Sequence, residues 1–140
     1  MKIKKESNLI AAAKSGRVAD VQKLLAAKAQ CDACVEGETP LTEAARSGKV
    51  EVIRLLLEAK ATVDAKDSRE ASALNIAAHF GHSEVVDVLV GAKADLEACD
   101  KEGFTALAGA SSMGHANVTR ALIAAKADVN NVDFYGSTPV

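Results

Sequence analysis

The chain repeats itself at a fixed interval. Gly16, Gly48, Gly81 and Gly114 stand 32, 33 and 33 residues apart, and two other sets keep the same spacing: Lys28, Lys60, Lys93 and Lys126, and Leu9, Leu41, Leu74 and Leu107. Near copies of one phrase mark the period: LLAAKAQCDA, LLLEAKATVD, VLVGAKADLE and LIAAKADVNN. A period shared by residues of three kinds belongs to a whole supersecondary unit, and units of this length stack as a solenoid. Four of them nearly fill 140 residues. The lone interval of 32 falls between Lys28 and Gly37, so the first connection between units is one residue shorter than those after it.

Each unit reads as two short helices. In TPLTEAARSG, Thr39 is placed to cap a helix and Pro40 to occupy its first position, where a missing N–H is harmless. Gly48 stops that helix. From Lys49 to Ala59, Val52, Ile53, Leu56 and Leu57 recur at helical spacing as one apolar stripe, with Glu51, Arg54 and Glu58 away from it. Neither helix can bury its stripe alone. Small residues at Ala44, Ala45, Ala77, Ala78 and Ala110 permit close helix approach, so stacked units share a continuous interior.

Composition makes that interior aliphatic, since apolar residues form 49% of the chain but only Phe80, Phe104, Phe134 and Tyr135 are aromatic. The 17 Lys and Arg nearly balance the 19 Asp and Glu. Without a one-signed field, nucleic acid and anionic membranes are poor partners. MKIKKESNL lacks the apolar run of a signal peptide, and no apolar segment is long enough to span a bilayer, which points to a soluble intracellular protein, cytoplasmic with the nucleus as the alternative. The odd count of 3 Cys reads as free thiols in preference to a disulfide framework.

The segments CVEGETPLTEAARSGKVEVIRLLLEAKATVD and DKEGFTALAGASSMGHANVTRALIAAKADVN resemble ankyrin repeats, and the resemblance runs from Leu9 to Val140. It implies an all-α repeat solenoid of stacked helix-turn-helix units joined by β-hairpin-like loops, with residues 1–140 as a single domain. Its repeats are expected at about 1–33 as an N-terminal cap, 34–66, 67–99 and 100–132, with a partial fifth at 133–140. Departures are informative. The His of the family's Thr-Pro-Leu-His slot is replaced by Ile10, Thr42, Asn75 and Ala108, and the third unit has Glu70 for Gly and Ala73 for Pro, so strain is expected at its turn. Lys28, Lys60, Lys93 and Lys126 stand where the family has Gly after the second helix, a position that often needs a left-handed backbone. They are expected to form a row along one edge, read here as solvated caps in preference to a site for an acidic partner. Asp20 and Lys23 replace Val52 and Leu55 on the side of the first unit that has no preceding layer; Ser111 and Thr119 replace Ala45 and Ile53 in the fourth. DFYGSTPV starts a fifth unit without its helices, as in a fragment of a longer array or an end unit reduced to its hairpin.

In proteins of this kind, ligands meet the hairpin tips and the exposed ends of the first helices. Those slots hold Arg46, Arg69, His79, Phe80, Lys101, Phe104, Met113, Phe134 and Tyr135, and they collect every aromatic ring of the chain. Aromatics and Arg anchor protein interfaces, whereas an aliphatic core has no use for them. A protein or peptide partner is therefore expected there, bound by a monomer, with self-association through the uncapped C-terminal end as the alternative. The competing reading is architectural, with the units as a spacer or targeting segment of a larger protein. Catalysis has little support: His82 and His115 read as turn residues, no acid or nucleophile stands at a telling distance from His79, and no phosphate-cradling loop is present. Cys31 and Cys34 form half a zinc pattern or a redox pair, but no second pair follows and Cys99 lies two layers away, roughly 20 Å at the usual helix packing distance. Neither a metal nor a cofactor is expected. Asn130, eight residues after Leu122, resembles the hairpin Asn that is hydroxylated in some ankyrin proteins.

Overall fold

The computed structural model describes residues 2–127, which contain eight helices and no strand. They alternate between two roles. The first helices of the units are α1 (Lys2–Ser15), α3 (Pro40–Arg46), α5 (Ala73–His79) and α7 (Ala106–Ser112). The second helices are α2 (Val18–Ala26), α4 (Val50–Glu58), α6 (Ser83–Gly91) and α8 (Ala116–Ala124). First helices pack on first helices and second on second, so the chain is an all-α solenoid of four layers over these residues.

The interior is aliphatic. Leu9, Leu41, Leu74 and Leu107, the leucines that keep the period, are all fully buried, as are Val52, Ile53, Leu56, Val85, Val86, Leu89 and Leu122. Ala44, Ala45, Ala77, Ala78 and Ala110 lie between the first helices with no exposed surface. Each buried leucine stabilises the stack by roughly 1.5–3 kcal/mol, so the repeating text is the repeating core.

Helix boundaries follow from side chains. Thr39 caps α3 by accepting from the Thr42 N–H (3.1 Å), and Thr42 returns the bond by accepting from the Thr39 N–H (3.2 Å). Ser72 and Asn75 repeat this capping box on α5, with Asn75 also donating to the Ala98 carbonyl (2.9 Å). Small polar residues thus do the work of the missing His. Ala108 cannot, and on α7 only the bond donated by the Ala108 N–H to the Thr105 hydroxyl oxygen remains.

Every second helix ends on Lys in the left-handed region: Lys28, Lys60, Lys93 and Lys126 have φ of 69°, 71°, 66° and 73°. Each motif is closed by two bonds, as where the Lys60 N–H reaches Leu57 O (3.0 Å) and the Ala61 N–H reaches Leu56 O (2.9 Å). The expected conformation is therefore present four times. All four lysines are exposed, and none forms a side-chain hydrogen bond or ion pair with a described residue.

The odd interval also has a structural cause. Between Val35 and Glu38 the chain turns in two residues, Glu36 and Gly37, both with positive φ, and the flanking residues exchange two hydrogen bonds of 2.9 Å. The next two hairpins use three residues, closed from Asp67 to Ala71 and from Asp100 to Phe104. Gly103 supplies positive φ in the last of these, but Glu70 does so in the third unit at φ 58°, which is the strain expected from its replacement of Gly. Hairpins are tied in series by Ser68 N–H to Gly37 O (2.9 Å) and Lys101 N–H to Arg69 O (3.1 Å).

Layers are also locked by histidine. His82 Nε2 is bonded to Arg46 O and His115 Nε2 to His79 O, both at 3.0 Å, so each ring ties its unit to the preceding first helix. Both act as turn residues, as their slot after Gly implies, and the bond each makes reaches across to the preceding layer. The rings lie so close to Gly48 and Gly81 that an added Cβ would meet Nδ1 at 2.7 and 2.6 Å. The start of the stack is tied to its second helix as well. α1 runs from Lys2, well before the repeat pattern begins, and Lys5 donates to the Ala27 carbonyl at the end of α2 (3.1 Å).

Candidate functional site

Along the hairpins and first helices of the third and fourth units runs an open groove of about 550 Å³. Hairpin residues Arg69, Lys101, Glu102 and Phe104 form one wall, and Ile76, His79, Phe80 and Ser112 of the first helices the other. Of the seven anticipated residues that are described, six line it: Arg46, Arg69, His79, Phe80, Lys101 and Phe104. Met113, the C-cap of α7, is 50% exposed but does not line the groove, and Phe134 and Tyr135 lie outside the described residues.

Of the two described phenylalanines Phe80 is the more exposed, with 46% of its surface open. It is nevertheless held from several directions. His79 meets it edge-on at 4.9 Å, His82 stacks at 6.3 Å with planes 27° apart, and the Arg46 guanidinium lies 6.0 Å from its centroid. His82 is itself fixed by Arg46 O, so the exposed ring has little rotamer freedom left to lose on binding. Phe104 is half-buried, and its backbone closes the fourth hairpin.

Arg46 is less available than its exposed slot implies. Its Nη2 donates to Asp67 Oδ2 (3.0 Å) and its Nε to Glu43 Oε2 (3.2 Å), and those carboxylate side chains are only 4% and 3% exposed. It pairs with the buried Asp67, shares the buried Glu43 with Lys14 and supports Phe80, which makes it a structural member of the groove. Arg69 and Lys101 are exposed at the hairpin tips. Sequence reasoning missed Asp67 and Asp100, whose carboxylates organise both hairpins from within: Asp67 Oδ1 accepts from the Arg69 and Ala71 N–H groups, and Asp100 Oδ1 from those of Glu102 and Phe104. The signal was available, since the two stand one period apart at the start of a turn, where Asp bonds its own backbone.

Elsewhere the chemistry is sparse. Cys31 donates its thiol to Ala59 O (3.3 Å) and packs against the core, and burial, then the nearby Asp32 charge, push its pKa up. Cys34 is exposed and Cys99 half-buried, all three being unpaired. Among the described residues no three His, Cys, Asp or Glu side chains are grouped to hold a metal ion, and no helix is long and apolar enough to cross a membrane. Asn130 lies outside the described residues.

The model of the family described as ankyrin repeats (3 copies) matches residues 2–67 and again 63–133. A comparison with curated proteins finds no match. With nearly the whole chain covered, the period, the capped helix pairs and the linked hairpins have one reading: the chain belongs to the ankyrin repeat family, whose members generally serve as protein–protein interaction modules.

Proposed function

We propose that the groove of the third and fourth units binds an extended segment of a partner protein, with Phe80 and Phe104 as apolar anchors and Arg69, His79 and Lys101 as its polar surround. The observation that carries this reading is Phe80: a ring half open to solvent, braced by Arg46, His79 and His82, while the core takes no aromatic side chain among the described residues. Rigid, exposed aromatics with Arg nearby are the usual centres of binding energy. Under this reading the chain acts as a monomeric intracellular adaptor without catalysis of its own. The test is capture of a partner by the immobilised chain and by a Phe80→Ala, Phe104→Ala variant of equal helicity. Binding weakened by roughly 1000-fold supports the groove, since losing two anchors at roughly 2 kcal/mol each costs that much. Unchanged capture would leave the units as a spacer.

A further inference from the structure

The two layers of the groove are not filled alike. Arg46, Asp67 and Phe80 are each one period before His79, Asp100 and Met113. In the first layer the Arg46 guanidinium spans to Asp67 Oδ2 at 3.0 Å. In the second, the carboxylate is kept and the guanidinium is gone. Asp100 is oriented just as Asp67 is, its Oδ1 accepting from Glu102 N–H (2.9 Å) and Phe104 N–H (3.0 Å). Its other oxygen has no hydrogen-bond or ion-pair partner among the described residues. His79, in the place of Arg46, has too short a side chain to bridge the layer, and its ring is turned edge-on to Phe80. The groove therefore holds a fixed, half-buried carboxylate with one open oxygen, bonded to the backbone of Phe104 and sharing the groove with Phe80.

We infer that an arginine side chain of the bound segment completes this layer, its guanidinium donating to Asp100 as that of Arg46 donates to Asp67. The inference rests on the groove being the binding site. Arginine fits better than lysine, because a planar fork can meet a carboxylate while one face lies on an aromatic ring. Arg69 and Lys101 line the same groove and offset Glu102, so Asp100 is left as its one unanswered carboxylate and the occupant is an extended peptide with a single arginine, not a basic tract.

The test is selection of ten-residue random peptides on the immobilised full chain, followed by affinity measurements on a selected peptide. Arginine should be enriched at one position, and replacing it by glutamine should weaken binding about tenfold or more, the scale of one charge-assisted pair. Asp100→Asn should weaken the arginine peptide by the same factor and leave the glutamine peptide unaffected. His79→Arg should supply the guanidinium from within, again weakening the arginine peptide about tenfold while the thermal midpoint holds or rises. Peptides that depend on Phe80 and Phe104 but show no arginine preference would overturn this inference and leave the groove reading intact. An Asp100→Asn loss that is equal for both peptides would also overturn it. Selection that yields nothing, or only peptides indifferent to Phe80 and Phe104, would sink the groove reading and this inference together.

Discussion

Replacing Lys28, Lys60, Lys93 and Lys126 by Gly should make the protein more stable. Each lysine holds a left-handed backbone, which costs a residue with a Cβ about 1–2 kcal/mol relative to Gly. Against this, each cation at a helix C-terminus contributes about 0.3–1 kcal/mol through the unpaired carbonyls. The net gain is about 0.5–1 kcal/mol per site and, for sites a layer apart and without shared partners, about 2–4 kcal/mol in all. For a chain of this size that is a rise of roughly 6–12 °C in thermal midpoint, read by circular dichroism or calorimetry. The Lys→Ala quadruple variant is the control, because it retains the Cβ and loses the charge. It should fall below the parent by about 0.3–1 kcal/mol per site at low salt, with the deficit shrinking as salt screens the helix ends. Equal midpoints for the Gly and Ala variants would refute the reasoning, because backbone strain would then not be what Gly relieves. A loss of partner binding on Lys→Gly substitution would restore the row as a site for an acidic partner.

Arg46→Ala should destabilise by about 3 kcal/mol in urea unfolding, since it leaves the buried Asp67 carboxylate without its cation and Glu43 with only Lys14 at 3.9 Å; a change within 0.5 kcal/mol, roughly a surface effect, would contradict the network. Gly81→Ala combines left-handed strain with displacement of the His115 ring and should cost about 2–3 kcal/mol by the same assay, while His115→Ala alone should cost only about 1 kcal/mol for its bond to His79 O. Ala108→Thr should complete the capping box on α7 and gain about 0.5–1 kcal/mol, provided the added hydroxyl reaches the Thr105 N–H as Thr42 reaches Thr39; no gain would mean α7 is capped by another route. Cys34 should be alkylated faster than Cys31 at neutral pH, because Cys31 is partly buried, donates to Ala59 O and has a raised pKa; mass spectrometry showing Cys31 modified first would reverse that order.

Much of the fold was legible because the physics that makes a solenoid also makes its text periodic. Each layer must offer the next the same surface, so Leu41, Leu74 and Leu107 recur and the stripe Val52, Ile53, Leu56 can be read directly. The left-handed lysines were legible by comparison with a position where Gly is cheaper. The features that escaped are those in which a residue acts on another layer. Nothing in the local text around His82 says that its ring reaches Arg46 O, and nothing around Arg46 says that Asp67 of the next hairpin claims its guanidinium. The early start of α1 escaped for another reason: Lys2 to Asn8 carry no repeat signal, and Lys5 gains its partner only from the packed end of α2. The groove was legible as a set of slots, but not the contrast between Asp67, which is answered within the chain, and Asp100, which is not.

The stack keeps Phe80 and Phe104 outside its aliphatic core, where a partner can reach them. Titrating a bound partner segment or selected peptide into the ¹⁵N-labelled chain and following amide shifts tests this most directly. Shifts confined to the hairpins and first helices around Arg69, Phe80, Lys101 and Phe104 are the predicted result. Shifts centred on the second helices and the ends that carry Lys28, Lys60, Lys93 and Lys126, with the groove silent, would contradict it.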